Sequence, residues 1–129
     1  MNNKVFVYGT LKSGGEIRGL NGFGPDKVEI VGMATTVYPD YDMMDLGAFP
    51  GVVMGGSKKI KGEVWLVNDE VMDQLDAIEG YPDFYNKIPT ETTEGKAVMY
   101  FLGPDYKEKY GEMESAHIEE FGDTLEWKN

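Results

Sequence analysis

The sequence contains no cysteine, which removes both a disulfide frame and a thiolate nucleophile and makes a reducing, cytoplasmic setting the expectation. Histidine is almost absent as well. His117 stands alone, without the nitrogen and sulfur companions that zinc prefers, and reads as an exposed helical residue. Positive charge is scarce: 12 Lys and Arg face 23 Asp and Glu, a formal net charge of −11 that repels a phosphate backbone and an anionic membrane surface. Nucleic acid is therefore not expected as a partner. No stretch approaches the roughly 20 apolar residues of a membrane helix, so no membrane partner is expected. Met1-Asn2-Asn3-Lys4 leads straight into a strand-like segment, without the apolar run of a signal peptide.

Several motifs are missing too. Neither G-x-x-x-x-G-K-[ST] nor G-x-G-x-x-G follows the first strand-like segment, and Ser13, Ser57 and Ser115 carry no G-x-S-x-G elbow. Asp40, Asp42 and Asp45 lack the glycine and the distal glutamate of a calcium loop, so they read as a solvated acidic edge. No metal site is expected.

What is present is enough apolar material, 41% of 129 residues, for one core, and residues 1–129 are read as a single domain. Lys4 to Tyr8 is a buried first strand ending at Gly9, followed by a turn-like stretch with six glycines between Gly9 and Gly24. Val28 to Val37 and Tyr38 to Leu46 read as extended, Phe49-Pro50-Gly51 as a turn, Val52 to Met54 as a short strand and Lys59 to Val67 as a longer one. Asn68 then caps a helix: Asp69 and Glu70 suit its positive end, and Val71, Leu75 and Ile78 recur at helical spacing. Gly80 and Pro82 end it. Tyr85 to Thr93 and Lys96 to Leu102 form a hairpin about Glu94-Gly95.

This pattern predicts an α+β fold, a small mixed, curved or barrel-like sheet with one main helix. The core spans about residues 4–102. An acidic segment follows at 105–129, with eight acidic and three basic residues. There Ile118, Phe121 and Leu125 keep helical spacing and predict a C-terminal helical segment. Its charge offers a docking surface for a basic protein partner.

With metal, phosphate and triad chemistry set aside, a carboxylate at a helix end remains. Glu79 sits at the last turn among Ile78, Tyr81, Pro82 and Phe84. Read by periodicity alone it is a solvated charge.

Val5-Phe6-Val7-Tyr8-Gly9-Thr10-Leu11-Lys12, taken with Leu75-Asp76-Ala77-Ile78-Glu79-Gly80-Tyr81-Pro82 and Tyr85, changes that reading. Phe49-Pro50-Gly51 and Gly62-Glu63-Val64-Trp65 fall between them in order. The set resembles the two signatures of the γ-glutamylcyclotransferase-like superfamily, which includes γ-glutamylamine cyclotransferases and AIG2-like proteins, over about residues 4 to 102.

The resemblance implies a cofactor-free reaction in which the α-amino group of a γ-glutamyl amide attacks its own γ-carbonyl, giving 5-oxoproline and a free amine. It implies Glu79 as general acid/base in a partly apolar cavity. Tyr8, Gly9, Thr10 and Leu11 would hold the substrate, with backbone N–H groups of Gly9 to Leu11 facing a carboxylate or oxyanion. Tyr85 would bond Glu79 or the substrate. Tyr8 has a core aromatic as its second reading, behind the binding loop, while Tyr100 and Trp65 read as core, and Phe49 and Pro50 as cavity wall or plain turn. A non-catalytic ligand-binding module on the same fold is the alternative.

Overall fold

The computed structural model describes residues 2–9, 27–47, 49–106 and 115–128. Nine strands and one helix are defined among them: β1 (Asn3–Val7), β2 (Val28–Thr35), β3 (Tyr41–Asp45), β4 (Pro50–Met54), β5 (Lys59–Val67), α1 (Asp69–Ile78), β6 (Asn86–Thr92), β7 (Gly95–Phe101), β8 (Ile118–Phe121) and β9 (Thr124–Trp127).

The main sheet runs β6-β7-β1-β5, with β1 parallel to β7 and antiparallel to β5. β5 has two further partners: residues 61–67 pair with β2, and Lys59 and Ile60 pair in parallel with β9. Beyond β5 the end of β2 turns back to β6. Val37 N–H reaches Glu91 O at 2.9 Å, and Thr93 N–H reaches Thr35 O at 2.9 Å. These bonds curl the sheet into a half-barrel.

Strand periodicity sorts the core. Along β1, Val5 and Val7 face the helix side with Trp65, Val67 and the α1 residues Val71, Met72 and Leu75. Phe6 and Tyr8 face the other way, among Ile60, Val64, Met99 and Trp127. With apolar contacts on both faces, Val5 to Tyr8 and Val64 to Val67 are continuous apolar runs. The β3–β4 hairpin joins at the end of β7, where Leu102 N–H donates to Val52 O at 2.8 Å.

Helix α1 begins and ends by side-chain and backbone rules already visible in its residues. Asn68 Oδ1 accepts from Val71 N–H at 2.9 Å, and Asp69 and Glu70 occupy the first turn. At the other end Glu79 is the C-cap and Gly80 takes φ +67°, the left-handed position that favours glycine. Tyr81 N–H then bonds Asp76 O at 2.9 Å and Gly80 N–H bonds Ala77 O at 3.2 Å, a Schellman closure.

Two expectations fail in detail. The β6–β7 turn is Thr93-Glu94, with Gly95 the first residue of β7 at φ +95°. The predicted C-terminal helix is instead, over its described residues, the β8–β9 hairpin. Gly122, at φ +62°, turns the chain with Asp123. Leu125 and Trp127 are buried at strand spacing, while Phe121, which a helix would have turned inward, is 51% exposed. Pairing with the start of β5 outweighed the helical spacing.

Candidate functional site

The end of α1 and the end of β1 meet at a cavity of about 220 Å³. Its walls are Phe6 to Gly9 from β1 and the following turn, Phe49 and Pro50 before and at the start of β4, Ile78 and Glu79 at the helix end, Phe84 and Tyr85 beyond it, and Tyr100 of β7. Local chain geometry explains why Glu79, Phe84 and Tyr85 share this space. After the Schellman closure the chain bends through Tyr81-Pro82, a cis peptide. Phe84 N–H then returns to Gly80 O at 2.7 Å, bringing residues 84 and 85 back beneath the helix end.

Glu79 is half-buried in this wall, and among the described residues its carboxylate has no hydrogen-bond or ion-pair partner. Burial pushes its carboxyl up to about 7. The negative end of the α1 dipole acts in the same direction, and the last turn holds no basic residue to oppose it.

Asp76, three residues earlier, is fully engaged. It accepts the Tyr100 hydroxyl at 2.6 Å and pairs with Lys87 Nζ at 3.0 Å, while Lys87 also lies 4.2 Å from the Tyr81 ring centre. The sequence reading quoted Asp76 only as part of a motif. Its spacing of three from Glu79 was the available signal that both carboxylates leave the helix at one end.

Tyr8 and Tyr85 are neutral donors tied to the backbone. Tyr8 Oη donates to Tyr100 O at 2.8 Å and accepts from Val52 N–H at 3.1 Å, so it knits β1, β4 and β7 together while its ring lines the cavity. Tyr85 Oη donates to Pro50 O at 2.5 Å. Its hydroxyl is thus directed at the β4 backbone rather than at Glu79. Burial pushes all three phenols, Tyr8, Tyr85 and Tyr100, well above their ordinary value.

Gly9 lies against Pro50: a Cβ there would come within 3.0 Å of two ring carbons, so a larger residue would displace the wall. Thr10 and Leu11 fall outside the described residues, as do Lys12, Ser13 and Arg18. Phe49, Pro50 and Tyr100 all line the cavity, whereas Trp65 packs in the core.

His117 and Asp45 also stand differently from expectation. His117 precedes β8, and its Nδ1 lies 2.9 Å from Asp45 Oδ2, which also accepts the Ser115 hydroxyl at 2.5 Å. Asp45, read as a solvated acid, is a mostly buried anchor for the C-terminal hairpin. Acids of that hairpin also face this chain's own lysines, Glu120 on Lys58 and Asp123 on Lys59. Among the described residues no group of three or more His, Asp or Glu is placed to hold a metal ion, and no helix is long and apolar enough to cross a membrane.

The described residues thus form a curled mixed sheet with one helix, whose end turns a carboxylate without a described partner toward a small cavity. The family model for gamma-glutamyl cyclotransferase, AIG2-like, matches residues 5–122, and the chain belongs to that family. A Vibrio cholerae protein named "Putative gamma-glutamylcyclotransferase" is 38% identical over 100 residues, covering 78% of this chain and 82% of the relative. Among solved structures, an uncharacterised protein from Pyrococcus horikoshii is 25% identical with a TM-score of 0.63, over 78% of each chain. An AIG2-like protein from Mus musculus, 19% identical, superposes with a TM-score of 0.66 over 87% of this chain and 84% of its own, which establishes the shared fold.

Proposed function

We propose that this chain is a cyclotransferase of the γ-glutamylamine type, releasing 5-oxoproline and a free amine from a γ-glutamyl amide. One observation carries the reading: Glu79 lines the cavity with no structural partner among the described residues, and its carboxyl is pushed up to about 7. A group poised near neutrality can take a proton in one half of a reaction and return it in the other. A carboxylate that none of the described residues holds is free to do so.

The α-ammonium of the substrate cannot attack until it loses a proton, which Glu79 accepts. The freed amine adds to the γ-carbonyl, and the motif assigns the resulting oxyanion to main-chain N–H groups of Gly9 and of Thr10 and Leu11, the last two outside the described residues. As the amide C–N bond breaks, Glu79 returns the proton to the departing nitrogen. Glu79 then takes the second proton from the new ring nitrogen and passes it to the released amine. One of the ammonium's three protons thus stays on the lactam nitrogen, two leave with the amine, and Glu79 ends ionised as it began. The cavity walls fold the substrate so that amine and carbonyl meet, the main source of acceleration in a ring closure. Tyr8 and Tyr85 hold those walls by their bonds to Val52, Tyr100 and Pro50, and their rings contact the glutamyl chain.

The test is incubation with a panel of γ-glutamyl amides while 5-oxoproline is measured. Glu79→Gln keeps the shape and removes the proton carrier, and it is expected to lower kcat/KM by about 10²- to 10⁴-fold. In the parent protein kcat/KM is expected to rise with pH along an acid limb centred near 7 as Glu79 ionises. Undiminished turnover in the Gln variant would remove Glu79 from the mechanism.

A further inference from the structure

The cavity has a floor and a rim of different character. Its floor is consumed by the fold: Phe6, Val7, Tyr8, Tyr85 and Tyr100 are at most 6% exposed, and the three hydroxyls are bonded. The rim is not. Phe49 keeps 36% of its surface exposed and Ile78 43%, although both are large apolar side chains. Phe84, half-buried between them and the floor, stands edge-on to Phe49 at 6.0 Å, to Tyr85 at 4.9 Å and to Tyr106 at 5.6 Å. Apolar surface left in water at a cavity mouth is stabilised when something apolar covers it.

Size and charge say what would cover it. At about 220 Å³ the cavity lies below the roughly 300 to 1,000 Å³ of sites that enclose drug-sized ligands, so it takes the glutamyl half of a substrate and leaves the amine half to cross the rim. Ile78 adjoins Glu79, so a substituent on the nitrogen that Glu79 protonates reaches the rim at once. Among the described lining residues there is no Lys, Arg or His to receive an anionic amine half, and Glu79 itself is acidic.

We infer that this chain selects γ-glutamyl amides whose amine half is apolar, an aryl- or alkylamine, with Phe49, Ile78 and Phe84 as the specificity-determining contacts. The inference rests on the cyclotransferase reading and adds the class of leaving group to it. Three substrates with a common glutamyl half separate the two: γ-glutamyl methylamide, γ-glutamyl phenethylamide and γ-glutamylglycine, the last with a free carboxylate on its amine half.

The expected result is a kcat/KM for the phenethylamide at least about tenfold above the methylamide, with γ-glutamylglycine at or below the methylamide. In Ile78→Ser and Phe49→Ser, whose side chains are exposed and whose folds are therefore retained, the phenethylamide-to-methylamide ratio falls toward one. A ratio maintained in both variants overturns the role of the rim. Turnover of the methylamide without the apolar preference overturns the inference and leaves the cyclotransferase reading standing. Absence of turnover for all three amides overturns both.

Discussion

Two carboxylates at opposite ends of the β3–β4 and α1 region behave in opposite ways. Asp45, at the end of β3, and Glu79, at the end of α1, are both withdrawn from water. Burial pushes Asp45 upward too, yet hydrogen bonds from Ser115, His117 and Gly47 together outweigh it and hold its carboxyl below the usual value. Glu79 meets burial with nothing to offset it and rises to about 7. The difference separates a carboxylate that fastens the structure from one that the described residues leave unpaired beside the cavity.

The pH dependence of stability offers the largest way to break that contrast. Because the folded state raises Glu79 above its ordinary 4.5, it binds more protons than the unfolded chain between about pH 4.5 and 7. Stability from this group therefore falls as pH rises through that window and levels off above it. At about 1.4 kcal/mol per pH unit the cost reaches about 3 kcal/mol as an order of magnitude. Glu79→Gln carries no such charge, so urea denaturation should find it more stable than the parent by about 2 kcal/mol at pH 8 and no more stable at pH 4. A gain equal at both pH values would contradict the assignment.

Asp45→Asn should show the reverse sign. A lowered carboxyl stabilises the fold above the ordinary aspartate range and loses that effect as pH falls through the folded value. The variant is expected to be less stable by about 1 to 2 kcal/mol at pH 7, with the deficit shrinking on acidification below about pH 4. A deficit that persists at low pH would make Asp45 a packing residue rather than a charged anchor.

The smallest effect sharpens the comparison within α1 itself. Tyr100→Phe deletes the 2.6 Å bond to Asp76 and keeps the 3.0 Å Lys87 pair. It should destabilise the protein by about 1 kcal/mol, and a double-mutant cycle with Asp76→Asn should recover coupling of that size. Zero coupling would mean that Asp76 is held by Lys87 alone.

Much of this arrangement was legible in the chain. Lys59–Val67 reads as a strand because Ile60 and the run Val64-Trp65-Leu66-Val67 stand between turn signals, and its bounds match β5. Asn68, Asp69, Glu70, Gly80 and Pro82 mark both ends of α1 because capping is decided within a few residues. Ile118, Phe121 and Leu125 misled, since a spacing of three and four also occurs by chance in a hairpin. Leu125 and Trp127 at strand spacing, after Gly122-Asp123, were the better signal.

The chain alone therefore determined the caps, the β1 and β5 runs and the placement of a glutamate at a helix end, all matters of neighbouring residues. It also carried the motifs shared with the family. Only the tertiary structure decided which acids are occupied: Asp76 by Lys87 and Tyr100, Asp45 by Ser115 and His117, Glu79 by none of the described residues. Burial and pairing depend on side chains brought from as far as 72 positions away, and those set the protonation of a carboxyl group.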